Sequence, residues 1–259
     1  MKLLASRHNP HFKALKKLVS SGRERHQTGL AVLDGMHLLA AYAQHGGAPD
    51  EIVVSEHGQA QREIAVYLEN ISPGTRITAL TNELFGDVAT VETPSGIMAI
   101  IKQPRCASAP DDLADSVVLD GIQDAGNVGS IMRSAAAAGF RQVLLSGDCA
   151  QAWSPKTLRA AMGAHFQLAI HEDCDLIAFL RDYRGQAIRT ELDTTTSLYA
   201  LDLGQPLAWV FGNEGQGIRA GVAATIARSV RIPMPGGSES LNVAAAAAVC
   251  LFETVRQRL

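Results

Sequence analysis

Short apolar runs alternate with helical patterns along most of this chain, and that alternation limits the possible folds more than any other feature. Apolar runs at residues 117–119, 142–145 and 207–211 are each followed by a loop and, further on, by a helical pattern. Strands that alternate with helices predict an α/β fold whose mainly parallel sheet is covered on both faces. In such sheets ligands bind beyond the carboxyl ends of the strands.

A segment with two prolines and mostly small or polar residues, 102–115, is the best domain boundary in the chain. We expect a small α/β domain over residues 1–101, a linker over 102–115 and a larger α/β domain over 116–259. The length of 259 residues agrees with one or two domains, because a typical domain has roughly 150 residues.

Several classes of protein are excluded by simple patterns. No apolar run approaches the roughly 18–20 residues of a membrane span, and residues 1–8 lack the apolar core of a signal peptide, so we expect a cytoplasmic protein without a membrane partner. The four cysteines (Cys106, Cys149, Cys174, Cys250) have neither zinc nor redox spacing, and the eight histidines form no His-Glu-x-x-His pattern. We therefore expect no metal.

Charge is unevenly distributed. Residues 1–29 hold seven basic residues against one acidic residue, a net charge of +6, whereas the remainder carries −9. A basic segment on an acidic body fits binding to a polyanion such as a nucleic acid, although a solvated basic helix without a partner has the same composition. The candidate residues for binding the polyanion are Arg7, Lys13, Lys16, Lys17, Arg23 and Arg25.

The first of three unusual loops spans residues 120–133. Its glycines allow a sharp turn, and Asn127 can cap a helix that begins near Val128, from which Arg133 would project. The alternative is that Asn127 is only a cap and Arg133 only a surface charge.

The second loop, 210–218, has three glycines in six residues after an apolar strand, which predicts a backbone that approaches a ligand closely. It matches neither the dinucleotide fingerprint nor the P-loop, and a tight turn with Glu214 in solvent is the alternative. The third loop, 232–243, ends in Ser240-Leu241-Asn242 at the start of the last helix, whose free N–H groups suit an anion or a polar ligand. Capping by Ser240 or Asn242 would use the same residue types.

Taken together, the loops contain N-x-G-x-x-x-R, F-G-x-E-x-x-G and I-P-M…S-L-N-V-A-x-A in this order. The set resembles the three motifs of the SpoU/TrmH branch of the SPOUT RNA methyltransferases, over roughly residues 116–259. The N-terminal part resembles their ribosomal-protein-like substrate-binding domain, with Asp34-Gly35 in place of the frequent Glu-Gly and with a similar segment at 93–97.

This resemblance implies transfer of a methyl group from S-adenosylmethionine to a ribose 2′-hydroxyl of structured RNA, with ribosomal RNA ahead of transfer RNA. It also implies a C-terminal SPOUT domain with a deep trefoil knot, and a homodimer with the site completed near the subunit interface. The implied catalytic residues are Asn127, Arg133, Glu214, Ser240 and Asn242. Backbone groups at Gly212, Ile232 and Leu241 are implied to hold the cofactor, with Asn213, Gly217 and Met234 as further candidates in the same loops.

Family accounts often make the arginine the general base. Because a guanidinium stays protonated in proteins, we expect Arg133 instead to grip an adjacent phosphate and polarise the hydroxyl. Two other classes of function compete with this interpretation. One is a non-catalytic RNA-binding protein that retains the fold. The other is a Rossmann-type enzyme, which the absence of a glycine fingerprint at residues 120–124 argues against. Family members that confer drug resistance differ from the others only in their RNA target, so a role in drug resistance is also open.

Overall fold

The structure is a computed structural model that describes residues 2–104, 106, 108–237 and 239–259. It divides into two compact units. The first comprises Met1–Pro104 and Trp153–Phe166, and the second comprises Arg105–Ala152 and Gln167–Leu259. Each unit has its own sheet and its own hydrophobic core.

The elements of the N-terminal part alternate strictly enough to form a small α/β unit. In chain order they are β1 (Lys2–Leu4), α1 (Pro10–Ser20), α2 (Gly22–Thr28), β2 (Leu30–Asp34), α3 (Met36–Gln44), β3 (Glu51–Ser55), α4 (Glu56–Gln59), α5 (Arg62–Glu69), β4 (Arg76–Leu80), α6 (Asn82–Val88) and β5 (Ile97–Lys102).

The sheet of this unit has the order β1-β4-β3-β5-β2. Strands β1, β3 and β4 are parallel, whereas β5 runs antiparallel to both β3 and β2. Helix α1 begins after the cap Asn9 with Pro10 in its first turn, and it buries Phe12, Leu15 and Leu18 against the sheet. Within the basic segment, α1 is thus an amphipathic helix with one face in the core.

The elements that follow also alternate between strands and helices. They are β6 (Ser116–Asp120), α7 (Ala125–Ala137), β7 (Gln142–Leu145), α8 (Pro155–Ala161), β8 (Ala169–His171), α9 (Leu176–Asp182), β9 (Gln186–Thr190), β10 (Leu207–Gly212), α10 (Ala220–Ala223), β11 (Arg228–Val230) and α11 (Val243–Arg258).

The second unit contains a sheet of order β11-β9-β10-β6-β7-β8 in which every pairing is parallel. Leu176 and Leu180 of α9 and Val222 of α10 pack on one face of the sheet. Helices α7 and α11 pack together, and α11 is bonded to β10 where Trp209 Nε1 donates to Thr254 Oγ1 at 3.0 Å. The predicted parallel sheet with helices on both faces is confirmed.

Helix α8 clusters with the first unit, although the sequence boundary assigned residues 116–259 to one domain. Arg159 of α8 donates from Nη1 to the carbonyl and the hydroxyl of Thr90, both at 2.9 Å. The rings of Tyr42 and Phe166 lie 5.0 Å apart. These are contacts between residues remote in sequence, so local patterns did not reveal them.

The edge strand β11 is bonded along both sides by the chain that follows β9. Glu191 N donates to Val230 O, and on the other side Arg231 N donates to Thr196 O and Leu198 N to Arg231 O, each at 2.9 Å. Residues 191–198 therefore lie along both sides of the strand before the chain continues towards α11.

Candidate active site

The polar loops meet at one edge of the six-stranded sheet. Strand β10 lies between β9 and β6, parallel to both, and Gly212 at its end is the register partner of Asp120 at the end of β6. Because the carboxyl ends of parallel strands lie at the same edge, the segments after β6, β9 and β10 leave the sheet side by side.

A cavity of about 730 Å³ lies at this edge, within the range of roughly 300–1,000 Å³ typical of small-molecule sites. Its walls come mainly from residues 189–193, 212–218 and 240–243, with Ile232 and Met234. The lining includes nine of the sequence-derived candidates: Gly212, Asn213, Glu214, Gly217, Ile232, Met234, Ser240, Leu241 and Asn242.

A chain of hydrogen bonds joins one residue from each of the three loops. Asn242 donates from Nδ2 to Oδ1 of Asn127 at 3.1 Å, and Asn127 donates from Nδ2 to Oε1 of Glu214 at 2.7 Å. Oδ1 of Asn242 in turn accepts from the N–H groups of Ala244 and Ala245, so Asn242 also caps α11. Each amide is used as donor and acceptor, which fixes its orientation.

The start of α7 differs from the expectation. The helix begins at Ala125 and is capped by Asp124, whose carboxylate accepts from Asn127 N at 3.0 Å. Asn127 is therefore not the cap but lies in the first turn, since an aspartate three residues earlier fills the same role. This position frees the Asn127 side chain for Glu214 and Asn242.

The glycine-rich loop is held closed by Asn213. Its backbone exchanges two hydrogen bonds with Gly217, at 3.0 and 2.9 Å, and its Oδ1 accepts from the N–H groups of Gly215 and Gln216. Asn213 Nδ2 donates to Gly121 O at 2.8 Å, which ties the loop to the turn after β6.

Gly212 has no room for a side chain. A Cβ atom there would lie 2.3 Å from the backbone of Gly217, far inside van der Waals contact. The contact at Gly212 is thus an approach of the loop to itself, which shapes one wall of the cavity, and the close approach to a ligand stays a prediction.

The loop after β9 lines the cavity as well, and sequence reasoning did not single it out. Arg189 donates from Nη1 to the carbonyls of Ala223 and Ile226, at 2.9 and 2.7 Å, and pairs with Glu191 at 3.1 Å. The segment lacks glycine and has no motif. Its available signal was the strand at 186–190, because any loop at that edge of the sheet is a candidate.

Two of the catalytic candidates, Arg133 and Ser240, lie outside the hydrogen-bonded chain Asn242–Asn127–Glu214. Arg133 is exposed on α7, outside the lining of the cavity, and its side chain forms no hydrogen bond or ion pair with any residue that the structure describes. It lies six residues beyond Asn127, about 9 Å along the helix axis. Ser240 lines the cavity and is exposed.

The six basic candidates of the first unit have different surroundings. Arg25 is buried and donates to the carbonyls of Leu18 and Val19 at the end of α1, so it is a structural residue and leaves the RNA-binding set. Arg7 pairs with Asp87 and Glu83, and Lys17 pairs with Glu24. Lys13, Lys16 and Arg23 are exposed and form no ion pair within the described part of the chain.

Two of the four cysteines are poor candidates for a thiolate nucleophile, because neither lines the cavity and both thiols have raised pKa values. Burial raises the pKa of Cys149, which lies behind the turn after β6, and it raises the pKa of Cys174 to about 11.

Among the described residues no group of three or more His, Cys, Asp or Glu is placed to hold a metal ion. No described helix is long and apolar enough to cross a membrane.

Two family models match the chain. Residues 115–252 match the SpoU rRNA Methylase family, and residues 9–99 match the MRM3-like substrate binding domain. The first match contains the residues of all three loops and covers more than half of the chain.

Curated relatives match over nearly their whole length. The chain is 29% identical to the 23S rRNA (guanosine(2553)-2′-O)-methyltransferase RlmP of Bacillus subtilis, over 97% of this chain and 98% of that protein. It is 31% identical to the 23S rRNA (guanosine-2′-O-)-methyltransferase RlmB of Bordetella pertussis, over 88% of this chain and 97% of that protein.

A solved structure shows the same fold. The S-adenosylmethionine-bound rRNA methyltransferase from Sinorhizobium meliloti superimposes with a TM-score of 0.83 at 26% identity, over 99% of this chain and 98% of that one. The resemblance inferred from the three motifs is confirmed.

Proposed function

The chain belongs to the SpoU rRNA methylase family, and from this membership we propose that it transfers a methyl group from S-adenosylmethionine to a ribose 2′-hydroxyl of ribosomal RNA. The observation that carries the proposal is the hydrogen-bonded chain Asn242–Asn127–Glu214, two members of which, Asn242 and Glu214, line the cavity. The relatives named above act on 23S rRNA, which favours ribosomal over transfer RNA.

The cavity fits the cofactor in size and in chemistry. It offers backbone polar groups at Gly212, Ile232 and Leu241, and aliphatic surface at Ile218 and Val230 for an apolar part of the ligand. The carboxylates of Glu214 and Asp193 also line it and favour a cation. When bound, S-adenosylmethionine supplies a methyl group on a sulfonium, which leaves as a neutral thioether.

The protein must align the weakly nucleophilic hydroxyl with that methyl group and stabilise the charge that develops on oxygen. Asn127 and Asn242 are held in single orientations, so they cost no reorganisation when substrate binds. Glu214 uses Oε1 for Asn127, while Oε2 has no hydrogen-bond partner among the described residues and remains open to a ligand.

Arg133 binds the phosphate next to the target ribose and polarises the hydroxyl, with the proton passing to water or a neighbouring group. A guanidinium suits this role because it presents several N–H donors in one plane and remains charged. Its exposed, unpaired position outside the cavity lining supports a homodimer, in which the arginine of one copy completes the site of the other.

The first unit binds the RNA. Lys13 and Lys16 on α1 and Arg23 on α2 are exposed cations that form no ion pair within the described residues, and they supply the contacts to phosphate. A ribosomal RNA substrate would place the protein in the cytoplasm, or wherever ribosomes are assembled.

The second unit carries the trefoil knot of the family. Support comes from the backbone bonds that place residues 191–198 along both sides of β11, before the chain reaches α11 on β10. Such threading departs from the usual rule that connections do not pass through loops. It also brings the loops after β9, β10 and β11 to one cavity.

The test is a methyl-transfer assay with tritiated S-adenosylmethionine and unmodified ribosomal and transfer RNA, separated by size. We expect label in ribosomal RNA at one position that resists alkaline cleavage, as a 2′-O-methyl group does. Cofactor binding without label in any RNA would point to an assembly intermediate as substrate. If neither label nor cofactor binding is observed, the enzymatic function is refuted and a non-catalytic RNA-binding protein is favoured.

A further inference from the structure

Asp120 and Arg219 form a contact that none of the three motifs contains. Asp120 ends β6 and is 1% exposed. Arg219 donates its backbone N–H to Oδ2 at 2.8 Å and Nε to Oδ1 at 2.7 Å, while Nη2 lies 2.6 Å from Oδ1. A buried carboxylate is tolerated only when its charge is matched and its oxygens are bonded. This one therefore holds both the backbone and the side chain of Arg219.

The contact lies at the far end of the glycine-rich loop. The loop leaves β10 at Gly212, opposite Asp120, and Arg219 is the residue at which α10 is capped. At the near end, Asn213 Nδ2 donates to the carbonyl of Gly121. Both ends of the loop are thus bonded to the turn 120–121.

Neither Asp120 nor Arg219 lines the cavity, whereas residues 212–218 of the glycine-rich loop do. Asp120 and Arg219 would therefore act on a ligand only through the loop. The hydrogen bond with Asp120 is the main reason why the pKa of Arg219 is raised, which agrees with a strong pairing of the two groups. A second carboxylate, Asp148, meets Arg219 Nη1 at 3.1 Å but is largely exposed.

We propose that Asp120 and Arg219 are positioning residues that hold loop 213–218 in the conformation that binds the cofactor; the inference rests on the proposed function. The loop contains Gly215 and Gly217 and has few side chains that could order it. Without this contact between Asp120 and Arg219, which we call the clamp, the loop samples other conformations. Cofactor binding then has to select the competent one, and the apparent affinity falls in proportion to its population.

The test compares Arg219→Lys with Asp148→Asn. The lysine variant keeps a positive charge beside Asp120 but loses the planar fork and the Nε–H bond. The asparagine variant is the matched control, because it removes only the charge of the exposed partner. Circular dichroism and thermal melts first establish that both variants are folded. Asp120→Asn, which keeps the size of the side chain and an acceptor for Arg219 N–H, is the second test variant.

Hydrogen exchange of the amides of residues 213–219, in the cofactor-free protein, reports the clamp directly. We expect faster exchange in Arg219→Lys and Asp120→Asn, and wild-type exchange in Asp148→Asn. If the competent population falls to about a tenth, the Kd for S-adenosylmethionine rises about tenfold by calorimetry. The KM for the cofactor rises in parallel, while kcat at saturating cofactor stays near the wild-type value.

Unchanged exchange in both folded variants would overturn the inference. So would faster exchange with an unchanged Kd, or a fall in kcat with the Kd and KM preserved. Failure of the proposed function gives a different result, because the wild-type chain itself would then bind no S-adenosylmethionine. The exchange measurement would still decide whether Asp120 and Arg219 hold the loop.

Discussion

Asn127 and Glu214 are 87 residues apart in sequence and are joined by a 2.7 Å hydrogen bond from Nδ2 to Oε1. Asn127 comes from the first turn of α7 and Glu214 from the loop after β10, and the two strands that precede these segments are neighbours in the sheet. The bond joins the first two motifs, and the bond from Asn242 adds the third.

Replacing Arg133 tests its role at the phosphate. Arg133→Ala should lower kcat by about 100-fold or more, the usual loss for one donor that stabilises the transition state. The Kd for S-adenosylmethionine should not change, because Arg133 does not line the cavity. Arg133→Lys should fail as well if planar contact is needed. The matched control is Arg181→Ala, an exposed arginine on α9. Near wild-type turnover in Arg133→Ala would remove the residue from the mechanism.

Asn127→Asp should place a second carboxylate against Glu214 and replace a donor by an acceptor. Losing a hydrogen bond worth about 1–1.5 kcal/mol predicts about a tenfold weaker Kd for the cofactor. Because neighbouring carboxylates raise one another's pKa, the loss should be larger at about pH 8 than at about pH 5.5, where a shared proton restores the bond. Adding Glu214→Gln should recover part of the affinity, since the amide then donates to the new carboxylate while the cavity loses the charge of Glu214. A loss that is independent of pH and is not rescued would contradict this account.

Gly212→Ala should disturb the cavity wall. Its Cβ would lie 2.3 Å from the backbone of Gly217, so the loop must open to accommodate it. Overpacking of this kind costs about 1–3 kcal/mol. We expect a higher Kd for S-adenosylmethionine and a lower melting temperature. Gly86→Ala in α6 is the control, because a Cβ there meets nothing within 4 Å. Wild-type affinity in Gly212→Ala would show that the loop closes in another way.

Lys13→Ala combined with Lys16→Ala should weaken RNA binding without affecting the cofactor. Each lost phosphate contact removes about 0.7–0.9 from the slope of log K against log salt, so the slope should fall by about 1–2. The KM for RNA should rise while kcat at saturating RNA is preserved. Arg62→Ala, an exposed arginine outside the basic segment, is the control. An unchanged salt slope would exclude α1 from the RNA contact.

Glu253 predicts a pH dependence of stability. A hydrogen bond from Arg256 lowers the pKa of this buried carboxyl to about 2, so the folded state holds the proton less tightly than the unfolded chain. Its stabilisation is present above about pH 4.5 and is lost as the pH falls towards 2. Glu253→Gln should lower the free energy of unfolding at neutral pH by about 1–2 kcal/mol, because it removes the charged partner of Arg256. The loss is no larger because Arg256 is largely exposed, so that solvent screens its charge.

Urea titrations of Glu253→Gln at several pH values measure this effect. The difference from wild type should shrink as the pH falls below about 4.5, while Glu69→Gln, an exposed glutamate on α5, should differ little at any pH. A constant difference across the range would assign the loss to packing rather than to charge.

Much of the fold was readable from local patterns. The strands at 142–145 and 207–211 have their expected positions, because apolar runs are strong local signals. The order β11-β9-β10-β6-β7-β8 was not readable, since nothing local says which strands pair. Nor was the membership of α8 in the first unit, which depends on its bonds to Thr90.

Local sequence patterns were misleading where two residues were equally suited to the same structural role. Asp124 and Asn127 are both good caps, and only the helix start distinguishes them. Arg25 and Arg23 are neighbours in one basic segment, yet α2 turns the first into the core and leaves the second in solvent. Composition counts charges, whereas the role of a charge depends on what surrounds it.

The sequence by itself determined the α/β class, the parallel sheet, the three loops and, through their linked motifs, the family, because these follow from spacing along the chain. The tertiary structure alone decided that Asn127 bonds Glu214 and Asn242, that residues 189–193 join the cavity wall, and that Asp120 holds Arg219. These relationships join residues far apart in sequence, and they exist only once parallel strands bring their carboxyl ends to one edge.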